Sequence, residues 1–283
     1  MKKGLVIEGG GVRASYACGV LLAFKELKFD QFDVVTATSS GACCGANFVA
    51  GEPEKNRFLL ESYTKKGFVK FQNILTSKNV VDIDFLIDQV LKFDVPLNDV
   101  KIKNSNKLFL IAVMDYQTGK TVYFNNREHD IFEVLRASCA MPYMYRKKVL
   151  FNGRRYLDGG MVACIPLDKI IEEGCKEIFV IRTREKSYRK PENKIPIWVH
   201  RLAFSDSPAV VNCFQNRHIH YNRMTDLIDN PPPGITIYAI APKKKLSLSR
   251  LSQNNEKINT SFNQGYEDAL SFVQEYIKNR GST

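Results

Sequence analysis

The sequence predicts an α/β fold, and three observations carry that expectation. A short apolar run, Gly4 to Glu8, leads into a glycine loop and then into a stretch whose apolar residues recur at helical spacing. A second strand and a helix of small residues follow within the first fifty positions, which makes a βαβα opening. Of the 283 residues, 44% are hydrophobic and 25% charged, enough apolar surface to cover a full core. That composition excludes a wholly disordered or fibrous chain.

Each element has a local reason. Gly4 to Glu8 reads as a buried strand, Gly9-Gly10-Gly11-Val12-Arg13 as a loop, and Ala14 to Leu27 as a helix with Val20, Leu21, Phe24 and Leu27 on one face. Phe32 to Ala37 is a strand because Val34 and Val35 are β-branched, and Ser40 to Ala50 is a helix whose small side chains allow close packing. From Glu52 to about Leu91 the pattern is helical, with Asp82 and Asp84 as capping carboxylates, and this segment is placed to cover a cleft. Leu108 to Met114 and Thr121 to Phe124 pair around a turn at Gln117-Thr118-Gly119-Lys120, and Ile131 to Ser138 forms a short helix. Arg146 to Phe151 and Arg154 to Leu157 flank Asn152-Gly153, a hairpin turn, and the second arm runs into Asp158-Gly159-Gly160. Ile178 to Arg182 is a strand, Lys186 to Lys194 a polar loop, Ile195 to Leu227 mostly helix, Ile235 to Ala241 a late strand and Gln264 to Ile277 an amphipathic closing helix. The break at Pro231-Pro232-Pro233-Gly234 is too brief for a linker, so residues 1–283 are expected to form a single unit, with a core over about 1–182 and a C-terminal extension over about 183–283.

The net charge of +11 is uneven: residues 1–140 carry +2 and the remainder +9. Such a field concentrates anionic partners, whether phospholipid headgroups, nucleic acid or phosphorylated metabolites, without choosing among them. The apolar run at the N-terminus breaks at Glu8, unlike a signal peptide, and no apolar stretch is long enough to span a bilayer, so membrane contact is expected to be peripheral. Seven scattered cysteines without C-x-x-C spacing suggest reduced thiols in a cytosol-like compartment rather than a disulfide frame or zinc site.

Three motifs bear on chemistry. Gly9-x-Gly11-x-x-Ala14 between strand and helix matches a dinucleotide fingerprint, but that fingerprint wants an acid at the end of the next strand, where Thr38-Ser39-Ser40-Gly41 stands. Ala37-Thr38-Ser39-Ser40-Gly41 instead fits a G-x-S-x-G nucleophile elbow with Ala first, since residues two before and two after the nucleophile must be small. An ordinary helix N-cap would use the same serines, so the elbow alone decides nothing. Asp158-Gly159-Gly160 adds a carboxylate at a strand end, and the three pieces together supply oxyanion donors, nucleophile and base of an acyl hydrolase. Gly119-Lys120-Thr121 has the ending of a Walker loop, but Met114 occupies its first glycine position and the segment reads as a hairpin.

On these residues the sequence resembles the patatin-like phospholipases along its whole length. Glu8-Gly9-Gly10-Gly11-Val12-Arg13 resembles their oxyanion loop with its basic residue, Ala37 to Gly41 their elbow, and Asp158-Gly159-Gly160 their D-G-A/G motif. Ala137-Ser138-Cys139-Ala140-Met141-Pro142 is similar to the stretch before the Asp hairpin, and Ala241 to Lys245 with Gly265-Tyr266 to the extension of bacterial members. Ala37 and Ala14 depart from positions where glycine is usual, and neither removes a reacting group.

The resemblance implies a three-layer α/β/α fold with a mainly parallel sheet and a Ser-Asp dyad. In it Ser39 attacks the ester, Asp158 takes the proton, and the amides of Gly9, Gly10, Gly11 and Val12 form the oxyanion loop, with the donors around Gly10, Gly11 and Val12. Arg13 is expected to steer or bind phosphate, and Ala37, Gly41, Gly159 and Gly160 to support elbow and loop. No metal or cofactor is implied. The implied substrate is a phospholipid or another acyl ester, met in the cytoplasm or at an anionic membrane surface, and no nucleic-acid partner is expected. Two rivals stand beside it. A Ser-His-Asp esterase would draw on His200, His218 or His220, although its elbow normally comes later in the chain and its oxyanion loop tends to carry His where Glu8 stands. A lipid-surface or nucleic-acid binding protein that has lost its chemistry would keep the basic second half alone.

Overall fold

A computed structural model describes residues 1–65, 67–76 and 78–281. The chain opens with β1 (Lys3–Ile7), a 3₁₀ turn over Gly11–Arg13, α1 (Ala14–Glu26), β2 (Val34–Thr38) and α2 (Ser40–Val49). α3 (Lys55–Ser62), α4 (Asp99–Lys103), β3 (Leu108–Asp115), β4 (Thr121–Asn125) and α5 (Ile131–Cys139) follow. Next come β5 (Val149–Phe151), β6 (Arg154–Asp158), α6 (Leu167–Glu172), β7 (Glu177–Ile181), α7 (Ile197–Ala203), α8 (Pro208–Asp229), β8 (Thr236–Ile240) and α9 (Asn255–Gly281).

The strands form one sheet in the order β5-β6-β3-β2-β1-β7-β8, with β4 also on β3. β3, β2, β1, β7 and β8 run parallel; the hairpin strands β4, β5 and β6 add antiparallel pairs. Side chains alternate between the two faces. Leu5, Ile7, Val35, Phe109 and Phe179 enter the larger core with residues of α1, α2, α5 and α9, whereas Val6, Val34, Leu110, Ile178 and Val180 meet α6 and α8. The result is three layers, α/β/α, around a mainly parallel sheet. Strand β8, from the C-terminal part of the chain, pairs with β7 from Glu177↔Thr236 to Ile181↔Ile240.

Several expected elements change. The stretch from Glu52 to Leu91 is not continuously helical: α3 ends at Ser62, Val69 and Val81 form an antiparallel bridge around a 3₁₀ turn, and helix resumes as a wide π-type segment over Phe85–Asp94. Residues 66 and 77 of that stretch lie outside the described residues. Asp82 does cap, its Oδ1 accepting the Phe85 amide at 3.1 Å. The run from Ile195 to Leu227 splits into α7 and α8, because Ser207 caps α8 and Pro208 has no N–H to continue a helix from before it. Helix α6 has no counterpart in the sequence reading, and α9 starts nine residues before Gln264, its polar first turns carrying Ile258 and Phe262 against the core. The hairpin turn has Asn152 at φ 48° and Gly153 at φ 73°, the left-handed pair that such a turn requires.

Candidate functional site

β2 ends at Thr38, α2 begins at Ser40, and Ser39 between them sits at φ 55°, ψ −134°. A non-glycine residue held there stores about 1–3 kcal/mol, so the surroundings must fix it. They do so by contact. A Cβ on Gly41 would lie 2.7 Å from the Glu8 carbonyl oxygen and 2.9 Å from that of Ile7, which lets the first turn of α2 press on the end of β1. A Cβ on Gly9 would lie 2.8 Å from the Thr38 carbonyl oxygen. Ala37 is fully buried in β2.

Asp158 closes β6, opposite Val113 of β3, and its amide donates to the Ala140 carbonyl at 3.0 Å. The Ser39 hydroxyl donates to Asp158 Oδ2 at 2.9 Å, across 119 positions of sequence. Oδ1 accepts the Gly160 amide at 2.6 Å. A Cβ on Gly159 would collide with the Ala112 carbonyl oxygen, and one on Gly160 would reach 2.9 Å from Asp158 Oδ1, so both glycines allow the close fit. Burial pushes the Asp158 carboxyl up to about 6, against the Gly160 amide, the Ser39 hydroxyl and the Arg217 and Arg250 guanidiniums, which favour its charged form.

The glycine loop is anchored on several sides. The Gly9 amide donates to the Cys164 carbonyl at 3.2 Å and the Gly10 amide to Ser40 Oγ at 3.1 Å. The Val12 amide donates to the Arg250 carbonyl at 3.0 Å. Of the three donors expected around Gly10, Gly11 and Val12, the Gly11 N–H alone has no hydrogen-bond partner among the described residues. Gly11 has φ +59°, and a Cβ there would lie 2.5 Å from the Arg250 carbonyl oxygen. Glu8 accepts the Thr183 amide at 2.6 Å and the Tyr221 hydroxyl at 2.9 Å, which ties the loop to the segment just after β7 and to α8. Arg13 is buried, and its Nε has no partner. Burial, with Arg250 and Arg184 beside it, lowers Arg13 to about 10.

Ser39 and Asp158 open on a cavity of about 480 Å³ also lined by Gly11 and Val12. The segment singled out as a cleft cover supplies much of the apolar wall through Phe68, Val69, Val81, Ile83 and Leu86. Tyr188, Lys190, Arg217 and Arg250 contribute a second, basic section of wall.

None of the histidines completes a triad: among the described residues no histidine bonds to Ser39 or Asp158. His200 is buried between the Tyr143 hydroxyl and the Asn193 amide, each at 2.7 Å, and stacks on Phe214. His218 reaches the cavity but faces Glu192 at 3.7 Å, and His220 lines a separate small pocket.

Sequence reasoning missed three contributors. Ser138 Oγ accepts the Ser39 amide, and its only signal was the Ala137–Pro142 stretch; Arg217 and Arg250 arrive from α8 and a distant loop without any motif. Among the described residues, no helix is long and apolar enough to cross a membrane, and the seven cysteines are free thiols.

A family model described as patatin-like phospholipase matches residues 5–171, and a second, described as a domain of unknown function (DUF6363), matches residues 207–279. The chain is 30% identical over 249 residues to the uncharacterized protein YjjU of Escherichia coli (strain K12), spanning 86% of this chain and 69% of that protein. VipD from Legionella pneumophila, a crystal structure, aligns with a TM-score of 0.44 at 12% identity, covering 97% of this chain and 67% of that one.

Proposed function

Because the chain belongs to the patatin-like phospholipase family, we propose that it cleaves the acyl ester of a phospholipid or related lipid, with Ser39 as nucleophile and Asp158 as base. The contact of 2.9 Å between the Ser39 hydroxyl and Asp158 Oδ2, in the lining of a mostly apolar cavity, is the observation that carries this reading.

In this mechanism Ser39 Oγ bonds to the ester carbonyl carbon while its proton passes to Asp158 Oδ2. The carbonyl oxygen becomes an oxyanion, and the unpartnered Gly11 amide is the donor left to meet it. Collapse breaks the bond to the alcohol, which leaves with the proton from Asp158. Water then adds to the acyl-serine with Asp158 again taking a proton, and the second collapse breaks the bond to Ser39 Oγ, which takes that proton back from Asp158 as the acid leaves. An ionised carboxylate near its ordinary range is a weak base toward a hydroxyl; the rise caused by burial brings Asp158 closer to the task. An Arg side chain buried behind the loop, as Arg13 is, adds positive field there.

The acyl chain would lie along the wall formed by Phe68, Val69 and Leu86. The C-terminal extension belongs to the same working unit in this reading, since β8 extends the sheet and Arg217 and Arg250 line the cavity. A cytoplasmic enzyme meeting anionic membranes peripherally fits the net charge of +11.

Hydrolysis of a short-chain p-nitrophenyl ester tests the reading. Activity in the parent with none in Ser39→Ala or Asp158→Asn, both folded, is expected; background rates in all three would leave a lipid-binding protein without this chemistry.

A further inference from the structure

Three cations line the cavity without a carboxylate partner. Arg217, on α8, donates its Nε to the Gly160 carbonyl at 2.7 Å, which orients the guanidinium; its two terminal nitrogens have no protein partner among the described residues. The Arg250 side chain has no hydrogen bond and no acid within ion-pair range there. The Lys190 ammonium lies over the Tyr221 ring at 4.8 Å, again without an acid. Some cations elsewhere are paired with acids, Arg136 with Asp84, Asp88 and Glu133, and Arg189 with Asp226 and Asp229.

Glu8 and Asp158 offset this section of wall in part, beyond ion-pair range and with their oxygens already engaged. Glu8 is engaged by the Thr183 amide and the Tyr221 hydroxyl, and Asp158 by Ser39 and Gly160. Burial above all, and then Arg217 and Arg250 beside it, hold the Lys190 ammonium down to about 8. Three cations facing a cavity whose remaining wall is mostly apolar fit an amphiphile with a charged end.

We propose that Lys190, Arg217 and Arg250 form a subsite for the phosphate of an anionic lipid headgroup, and that the protein thereby selects lipids of net negative charge over zwitterionic ones. The inference deepens the acyl-hydrolase reading and rests on it for the substrate. The subsite is supplied by residues outside the segment that matches the patatin-like family model.

Binding to the Ser39→Ala protein tests it without turnover. Calorimetric titration with short-chain phosphatidylglycerol, dispersed as monomers, should give an affinity roughly tenfold or more above that of the matched phosphatidylcholine. In Ser39→Ala carrying Lys190→Gln and Arg250→Gln the ratio should fall to about threefold or less. Should that variant not fold, high salt on the Ser39→Ala protein should remove the preference by screening. Inorganic phosphate should displace the anionic lipid where an equal concentration of short fatty acid does not; the reverse order would assign the cations to the acid product and overturn the headgroup subsite. Equal affinities for the two lipids, or a preference that survives both substitutions and salt, would overturn it as well. Anionic preference in a protein whose parent hydrolyses no ester would sink the hydrolase reading and keep the subsite, and hydrolysis without headgroup preference would do the opposite.

Discussion

The hydroxyl of Ser138 accepts the main-chain amide of Ser39 at 2.8 Å and donates to the Ala112 carbonyl at 2.8 Å, so α5 and β3 together hold the strained turn from outside. Ser138→Ala leaves that amide without a partner, which costs about 1–3 kcal/mol. If the serine positions Ser39, kcat for a p-nitrophenyl ester should drop roughly tenfold while KM stays within about twofold, a split that reports lost alignment of the reacting group. A purely structural role would lower the melting temperature and leave kcat alone.

As the proposed base, Asp158 should give activity and stability opposite pH trends. Its folded carboxyl, pushed up to about 6 by burial, must be ionised to accept a proton, so kcat/KM should rise with pH and level off above about 6. Folding works the other way for this group: between the unfolded carboxyl's range and about 6 the native state binds the extra proton, so the contribution of Asp158 to stability falls as pH rises through that window. Comparison with Asp158→Asn isolates it. The variant should gain on the parent by up to about 3 kcal/mol between acid and neutral pH, measured by urea unfolding. A parent and variant whose stabilities run parallel with pH would place the carboxyl near its ordinary range.

Ala37 stands at the first position of the elbow, where glycine is usual in the family that the chain resembles. Its methyl is fully buried in β2. Ala37→Gly removes that contact and frees the unfolded backbone, so it should destabilise by about 1–2 kcal/mol and leave ester hydrolysis unchanged. A large gain in kcat would show instead that the methyl restrains the turn.

The parts of the site that were legible in the sequence are the local ones. An elbow needs small residues at fixed offsets, and a glycine loop needs to lie against it, so Gly9, Ala37, Ser39 and Gly41 carry their own pattern. Asn152-Gly153 announced the hairpin that delivers Asp158 for the same reason. Ser138, Arg217 and Arg250 have no local pattern, because what brings them to Ser39 is the packing of α5, α8 and a loop from the far end of the chain. The segment after Glu52 misled for a related reason: apolar residues at helical spacing also suit a cavity wall, where Phe68, Val69 and Val81 are held by a bridge instead of a helix. Half of α9 was missed since only Ile258 and Phe262 mark its buried face among polar neighbours.

The histidines separate the dyad from its rival. His200→Ala should cost about 2 kcal/mol, since it removes two hydrogen bonds and a ring stacked on Phe214. His218→Ala and His220→Ala should change stability by less than about 0.5 kcal/mol. All three, when folded, should retain ester hydrolysis. Loss of activity in one folded variant would restore the triad.

Helices α1 and α9 meet backbone to backbone. A Cβ on Gly19 would collide with the Phe262 carbonyl oxygen, and one on Gly265 with the Tyr16 carbonyl oxygen, so each helix needs its glycine for the other to approach. α1 starts at the glycine loop, and α9 reaches the sheet at Glu177, which accepts the Tyr276 hydroxyl at 2.7 Å and Arg280 Nη2 at 2.6 Å. Gly265→Ala should therefore destabilise by about 1–3 kcal/mol, although alanine is the better helix former, while Thr260→Ala on the exposed face of α9 should stay within about 0.5 kcal/mol. Gly19→Ala should behave like Gly265→Ala, and the double variant should lose less than the two single losses combined, because the first methyl already forces the helices apart and makes room for the second. Fully additive losses would mean that each glycine is needed for a separate local reason, with no shared helix contact.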